Sequence, residues 1–106
     1  MSKKKAFNLV GQLQKIQEEM LKAQERLAEE TIEVTAGGGV IKVVIDGHQR
    51  VRSITLSPEV VNPEDIEMLQ DLILVAINEA IERSQALVAE RLSSIVGGTR
   101  ITGLKI

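Results

Sequence analysis

The hydrophobic period of this chain changes twice, and those two changes set what it can fold into. Between Ala6 and Glu30 there is no proline and one glycine, and Leu9, Leu13, Ile16, Met20, Ala23 and Leu27 recur at spacings of 4, 3, 4, 3, 4. This is the stripe of one long amphipathic helix, about 38 Å long at 1.5 Å per residue. At Thr31 the period drops to two. Ile32 and Val34 alternate with Thr31, Glu33 and Thr35, the β-branched pattern of a half-buried strand. Gly37, Gly38 and Gly39 supply a turn, Val40 to Asp46 gives a second strand with Ile41, Val43 and Ile45 on one face, and Asp46-Gly47 signals a hairpin. Val51 to Ser57 forms a third strand, Ile54 and Leu56 on one side and Val51, Ser53 and Thr55 on the other.

Helical character returns at Asn62-Pro63-Glu64-Asp65. Asn62 suits the N-cap and Pro63 the first helical position, where a missing N–H costs nothing. No breaker follows before Gly97-Gly98, so this second helix would be roughly 50 Å long. Thr99 to Ile106 reads as a tail, and residues 1–5 and 99–106 are expected to be flexible. The whole of 1–106 reads as a single domain of class α+β: long helix, three-stranded antiparallel sheet, long helix.

Both helices are longer than so small a sheet can cover. The run Leu72-Ile73-Leu74-Val75-Ala76-Ile77 is apolar around more than a full turn, whereas a sheet offers it one face. A second copy of the chain is the simplest cover, so a homodimer of two-fold symmetry is expected.

Composition removes several chemistries. There is no Cys, Trp or Tyr, and Phe7 is the lone aromatic. Disulfide scaffolds and Cys-ligated metals are excluded, and stacking of single-stranded bases on aromatic rings loses its main tool. No window approaches the roughly 18 apolar residues of a membrane span, and a soluble cytosolic protein with no membrane partner is expected. The glycine run leads from strand to strand rather than into a helix, unlike a phosphate loop. His48 stands alone in a predicted turn, so no nucleophile-histidine set or multi-histidine metal site can be assembled. Glu64, Asp65, Glu67 and Asp71 cluster where a helix N-terminus welcomes negative charge. No catalytic set, cofactor, metal site or small-molecule substrate is expected.

The formal net charge of −2 conceals a segregation. Residues 1–15 hold Lys3, Lys4, Lys5 and Lys15 with no acid, and residues 91–106 hold Arg91, Arg100 and Lys105 with no acid, seven positive charges in all. The other six basic residues share residues 16–90 with all 15 acids, a net of −9. If the two helices pack antiparallel, the basic ends lie together at the end farthest from the sheet. A dimer would then present two basic tips on an acidic body, a clamp for a polyanion.

Three segments carry a family resemblance over roughly residues 7 to 98: "NLVGQLQKIQEEMLKAQERLAEETIEV", "AGGGVIKVVIDGHQRVRSITLSPEVV" and "NPEDIEMLQDLILVAINEAIERS". With these the chain resembles the YbaB/EbfC family of bacterial nucleoid-associated DNA-binding proteins. The resemblance implies a tweezer-like, intertwined homodimer whose protruding helices embrace double-stranded DNA. It implies DNA contact by Lys3, Lys4, Lys5 and Lys15 on the first helix and by Arg91 and Arg100 on the second. The tail "TRITGLKI" lacks the Pro-Gly of many relatives, and no role is carried over to it.

The expectation is therefore a non-enzymatic, cytoplasmic, nucleoid-located homodimer that binds duplex DNA mainly through phosphates with little sequence specificity, and so alters DNA conformation, nucleoid organisation and gene expression. A dimeric scaffold whose prongs grip a partner helix is the alternative.

Overall fold

A computed structural model describes the backbone of residues 2–105 and the side-chain surroundings of residues 9–95. The elements are α1 (Ser2–Leu27), β1 (Thr31–Ala36), β2 (Ile41–Asp46), β3 (Val51–Leu56) and α2 (Ile66–Lys105), with short 3₁₀ turns at Gly37–Gly39 and Pro58–Val60. The strands form one antiparallel sheet in the order β1-β2-β3. The α+β class and the helix–sheet–helix order expected from the period changes are both present.

The core lies between one face of the sheet and the first half of α2. Ile41, Val43 and Ile45 of β2 are fully buried, joined by Val34 from β1 and by Ala76 and Ala80 from α2. The two alanines let the helix axis approach the sheet, while Leu69, Ile73, Ile77 and Ile81 pack around them half-buried. Gly37 turns the chain from β1 to β2 at φ +63°, a left-handed conformation that costs other residues, and a Cβ there would lie 2.9 Å from Val40 Cγ2.

β3 departs from the alternation read in the sequence. Ile41 pairs with Leu56, Val43 with Ile54 and Val44 with Ser53, but Ile45 pairs with Val51, so Arg52 is an extra residue in a β-bulge. Residues paired across strands share a face. The bulge therefore moves Val51 to the side of Ile54 and Leu56, not that of Ser53 and Thr55. Since α2 packs on β1 and β2, Val51 and Ile54 stay 43% and 44% exposed on a face whose neighbouring strand is fully covered. Leu74 and Val75 of α2 are likewise 59% and 55% exposed.

Helix boundaries differ from the sequence reading at three places. α1 ends at Leu27, not Glu30, because the peptide turns back through Glu29 N–H and Glu30 N–H to Arg26 O, at 2.9 and 3.0 Å. The second helix starts at Ile66, not Pro63. Asn62 through Asp65 forms a β-turn closed by Asp65 N–H on Asn62 O at 2.9 Å, and Asn62 Oδ1 accepts from Glu64 N–H at 3.0 Å. The N-cap is Asp65, whose Oδ1 accepts from Met68 N–H at 3.3 Å. At the other end α2 continues through Gly97-Gly98 to Lys105. Glycine weakens a helix by about 1 kcal/mol against alanine but, unlike proline, keeps the backbone donor.

The molecule is elongated, 77 × 29 × 16 Å, with a radius of gyration of 20.7 Å. A compact chain of this length would have a radius near 13 Å. The difference lies in α1 and the second half of α2, which extend beyond the sheet.

Candidate nucleic-acid interface

α1 and α2 meet antiparallel at the edge of the sheet. On α1, Leu27 is buried and Ala23, Met20 and Ile16 are half-buried. On α2, Ser84 is buried and Leu87, Val88, Leu92 and Ile95 are half-buried. The two helices are in contact. Further out on α1 the stripe is uncovered: Leu9, Val10 and Leu13 are all exposed.

The root of this helix pair is fastened by polar contacts from three elements. Gly47 N–H donates to Leu27 O at 2.8 Å and to Glu30 O at 3.1 Å. The approach is so close that a Cβ at Gly47 would stand 2.6 Å from Leu27 O. His48, expected to be a solvated turn residue, sets Nε2 2.6 Å from Gln24 O. Arg52, displaced by the bulge, donates from Nη2 to Ala28 O at 2.7 Å and from Nε to Asp46 Oδ2 at 2.8 Å. The last carbonyls of α1, at the negative end of the helix dipole, are thus satisfied by donors from the β2–β3 hairpin.

Asp46 is the centre of that hairpin, its side chain 1% exposed. Its Oδ1 accepts from His48 N–H at 2.7 Å and Arg50 N–H at 3.1 Å. Burial pushes the Asp46 carboxyl up, but the Arg52 hydrogen bond, the two backbone donors and the Arg52 charge outweigh it, and the group lies below the usual carboxylate range.

Of the six basic residues expected to touch DNA, the structure describes two side chains. Lys15 is exposed on α1, 12 residues before Leu27 and so about 18 Å from the root, with no ion pair among the described residues. Arg91 sits at the root. Its Nη2 donates to Glu30 Oε1 at 2.6 Å and its Nε to Glu30 Oε2 at 3.1 Å, a two-pronged pair that ties the α1–β1 connection to α2. The hydrogen bond from Arg91 holds Glu30 below the usual range, against partial desolvation and with help from the charges of Arg91 and Arg26; Glu30 in turn raises Arg91. The side chains of Lys3, Lys4, Lys5 and Arg100 lie outside the described residues. Their backbones belong to the far ends of α1 and α2.

Only the fold brings Glu30, His48, Arg52 and Asp46 together. Glu30 and Arg91 are 61 residues apart, and nothing in local spacing joins them. Among the described residues, no helix is long and apolar enough to cross a membrane, and no group of three or more His, Cys, Asp or Glu is placed to hold a metal ion.

Two helices thus project beyond the sheet, and Lys15 on one of them has no ion pair among the described residues. A sequence profile of the YbaB/EbfC DNA-binding family matches residues 3–99. A nucleoid-associated protein of Syntrophobacter fumaroxidans is 46% identical over 102 residues, covering 96% of this chain and 93% of the relative. One from Chloroflexus aurantiacus is 52% identical over 92 residues, covering 87% and 92%. The fold is similar to the crystal structure of an uncharacterized protein from Helicobacter pylori, with TM-score 0.74 and 19% identity over 84% of this chain and 94% of that one. The match along nearly its whole length shows that the chain belongs to the YbaB/EbfC DNA-binding family.

Proposed function

We propose that this chain is a non-enzymatic nucleoid-associated protein that works as a homodimer and binds double-stranded DNA chiefly through its phosphates, with little base readout. It acts at the nucleoid in the cytoplasm, and by holding duplex DNA it alters DNA conformation, nucleoid organisation and gene expression. The observation that carries this reading is the placement of charge on the topology. α1 and α2 project side by side from a body, residues 16–90, of net charge −9, and Lys15 stands exposed on the projecting part of α1 with no ion pair among the described residues. The contacting set is Lys3, Lys4, Lys5 and Lys15 on α1 and Arg100 on α2. Arg91 lies at the root of the helix pair, where it grips Glu30.

The second copy covers what one chain leaves bare: Val51 and Ile54 on the core-facing side of β3, and Leu74 and Val75 on α2. Burying such side chains contributes about 1.5–3 kcal/mol each when complete. Each dimer then carries two pairs of projecting helices.

Gel shifts on unrelated duplexes across a salt range test this function. Affinity should be similar for all sequences and fall steeply with salt, at a log–log slope of about −0.9 per phosphate contacted. A second reading, a scaffold whose prongs grip a partner helix, is favoured by exposed Leu9, Val10 and Leu13. It predicts a protein partner retained at salt that abolishes DNA binding.

A further inference from the structure

At the root of α1 the contacts form a closed circuit. The β2–β3 hairpin is tied to α2 by Ser84 Oγ, which donates to Asp46 O at 2.6 Å and accepts from Gln49 Nε2 at 2.9 Å. The same hairpin is tied to α1 through Gly47 and His48. Arg91, seven residues or about two turns further along α2 than Ser84, closes the circuit on Glu30, the last residue before β1. The direction of α1 relative to α2 is therefore set by groups at one end of a lever.

The length of that lever makes the root decisive. α1 has 26 residues, about 39 Å at 1.5 Å per residue. A rotation of roughly 10° at the root would move its far end by about 7 Å, or two phosphate steps at about 3.4 Å per step along one strand. Cations at the far end are aligned with phosphates before binding only if the root is held, whereas a loosened helix reaches the same phosphates at a cost in ordering.

We propose that Arg91 serves DNA binding as a positioning residue, through its two-pronged grip on Glu30, and is not itself a phosphate contact. Nε and Nη2 both donate to the carboxylate, so a phosphate could take this two-pronged edge of the guanidinium only by displacing a partner already 2.6 Å away. Glu30 is then required for binding although it is an acid in a protein that binds a polyanion. This inference rests on the DNA-binding reading.

Binding of one duplex across a salt range separates the roles. For Arg91→Gln and for Glu30→Gln we expect several-fold weaker binding with the log–log salt slope unchanged, since no phosphate contact is lost. The exchanged pair Glu30→Arg with Arg91→Glu should recover most of the affinity. A slope shallower by about 0.9 in Arg91→Gln, or tighter binding by Glu30→Gln, would overturn the proposal. So would unchanged binding in both single variants.

A measurement without DNA keeps the two readings apart. The chain has no native Cys, so Gln17→Cys on α1 and Lys42→Cys on the sheet can carry spin labels cleanly, diluted with unlabelled protein. The distance distribution should broaden in Glu30→Gln while far-UV circular dichroism stays the same. An unchanged distribution overturns the positioning role. Duplex binding that is absent in the unaltered protein overturns the DNA-binding reading alone.

Discussion

Ser84 Oγ donates to the backbone carbonyl of Asp46 at 2.6 Å, joining residues 38 apart in sequence at a point where both are buried. One hydroxyl thereby satisfies the end of β2 and, through Gln49, the hairpin beyond it. Ser84→Ala removes a donor and an acceptor from that buried position and leaves the Asp46 carbonyl with only the Gln49 N–H, at 3.2 Å. The expected loss is about 1–3 kcal/mol in urea unfolding, more than a surface serine would cost.

Acid should weaken the hairpin through Asp46. Its folded-state pKa is depressed, so its contribution is present in full above the unfolded value of about 3.9 and is lost as pH falls through the folded value. Glu30 acts in the same direction below about 4.3 but is 35% exposed and screened by solvent, so Asp46 dominates. Unfolding free energy measured from pH 6 downward should decline along this limb, and Asp46→Asn should be less stable at neutral pH and flatter in acid.

Gly47→Ala should destabilise and redirect α1 together. A Cβ would stand 2.6 Å from Leu27 O and 2.8 Å from Leu27 Cδ2, closer than backbone tolerates, so the hairpin and the helix end must separate. The cost is roughly 1–3 kcal/mol, as for overpacking a core. Thermal unfolding reads the stability, and weaker duplex binding should accompany it.

The uncovered apolar surface predicts its own occupant. Ile54→Asp places a charge where the single chain already leaves the side chain 44% exposed, so the protomer fold should survive. Sedimentation should report a dimer for the unaltered chain and a folded monomer for the variant. A variant that stays dimeric would exclude β3 from the interface.

Much of the fold is legible in the sequence because it is written in period. Three spacing regimes delimit α1, the sheet and α2, and the burial of Ile41, Val43 and Ile45 follows from alternation. The start of α2 is ambiguous for a physical reason. Asn62 and Asp65 can both cap, and Pro63 fits the first helical position and the second position of a β-turn equally well. The bulge at Arg52 is set by tertiary contacts, since its guanidinium bridges Asp46 and Ala28 O, and alternation alone puts Val51 on the wrong face. In the candidate interface, charge segregation marks the projecting ends. It does not separate Arg91, engaged by Glu30, from Lys15, which is free of ion pairs among the described residues. That distinction needs two segments brought together by the fold.

The central claim is that DNA phosphates are held by cations at the far ends of the helices. Its most direct test is the salt dependence of duplex binding by the triple variant Lys3→Glu, Lys4→Glu, Lys5→Glu beside the unaltered protein. The account predicts uniformly weaker binding to every duplex and a log–log slope shallower by about 0.9 for each contact removed. Unchanged affinity and slope at low salt would contradict it.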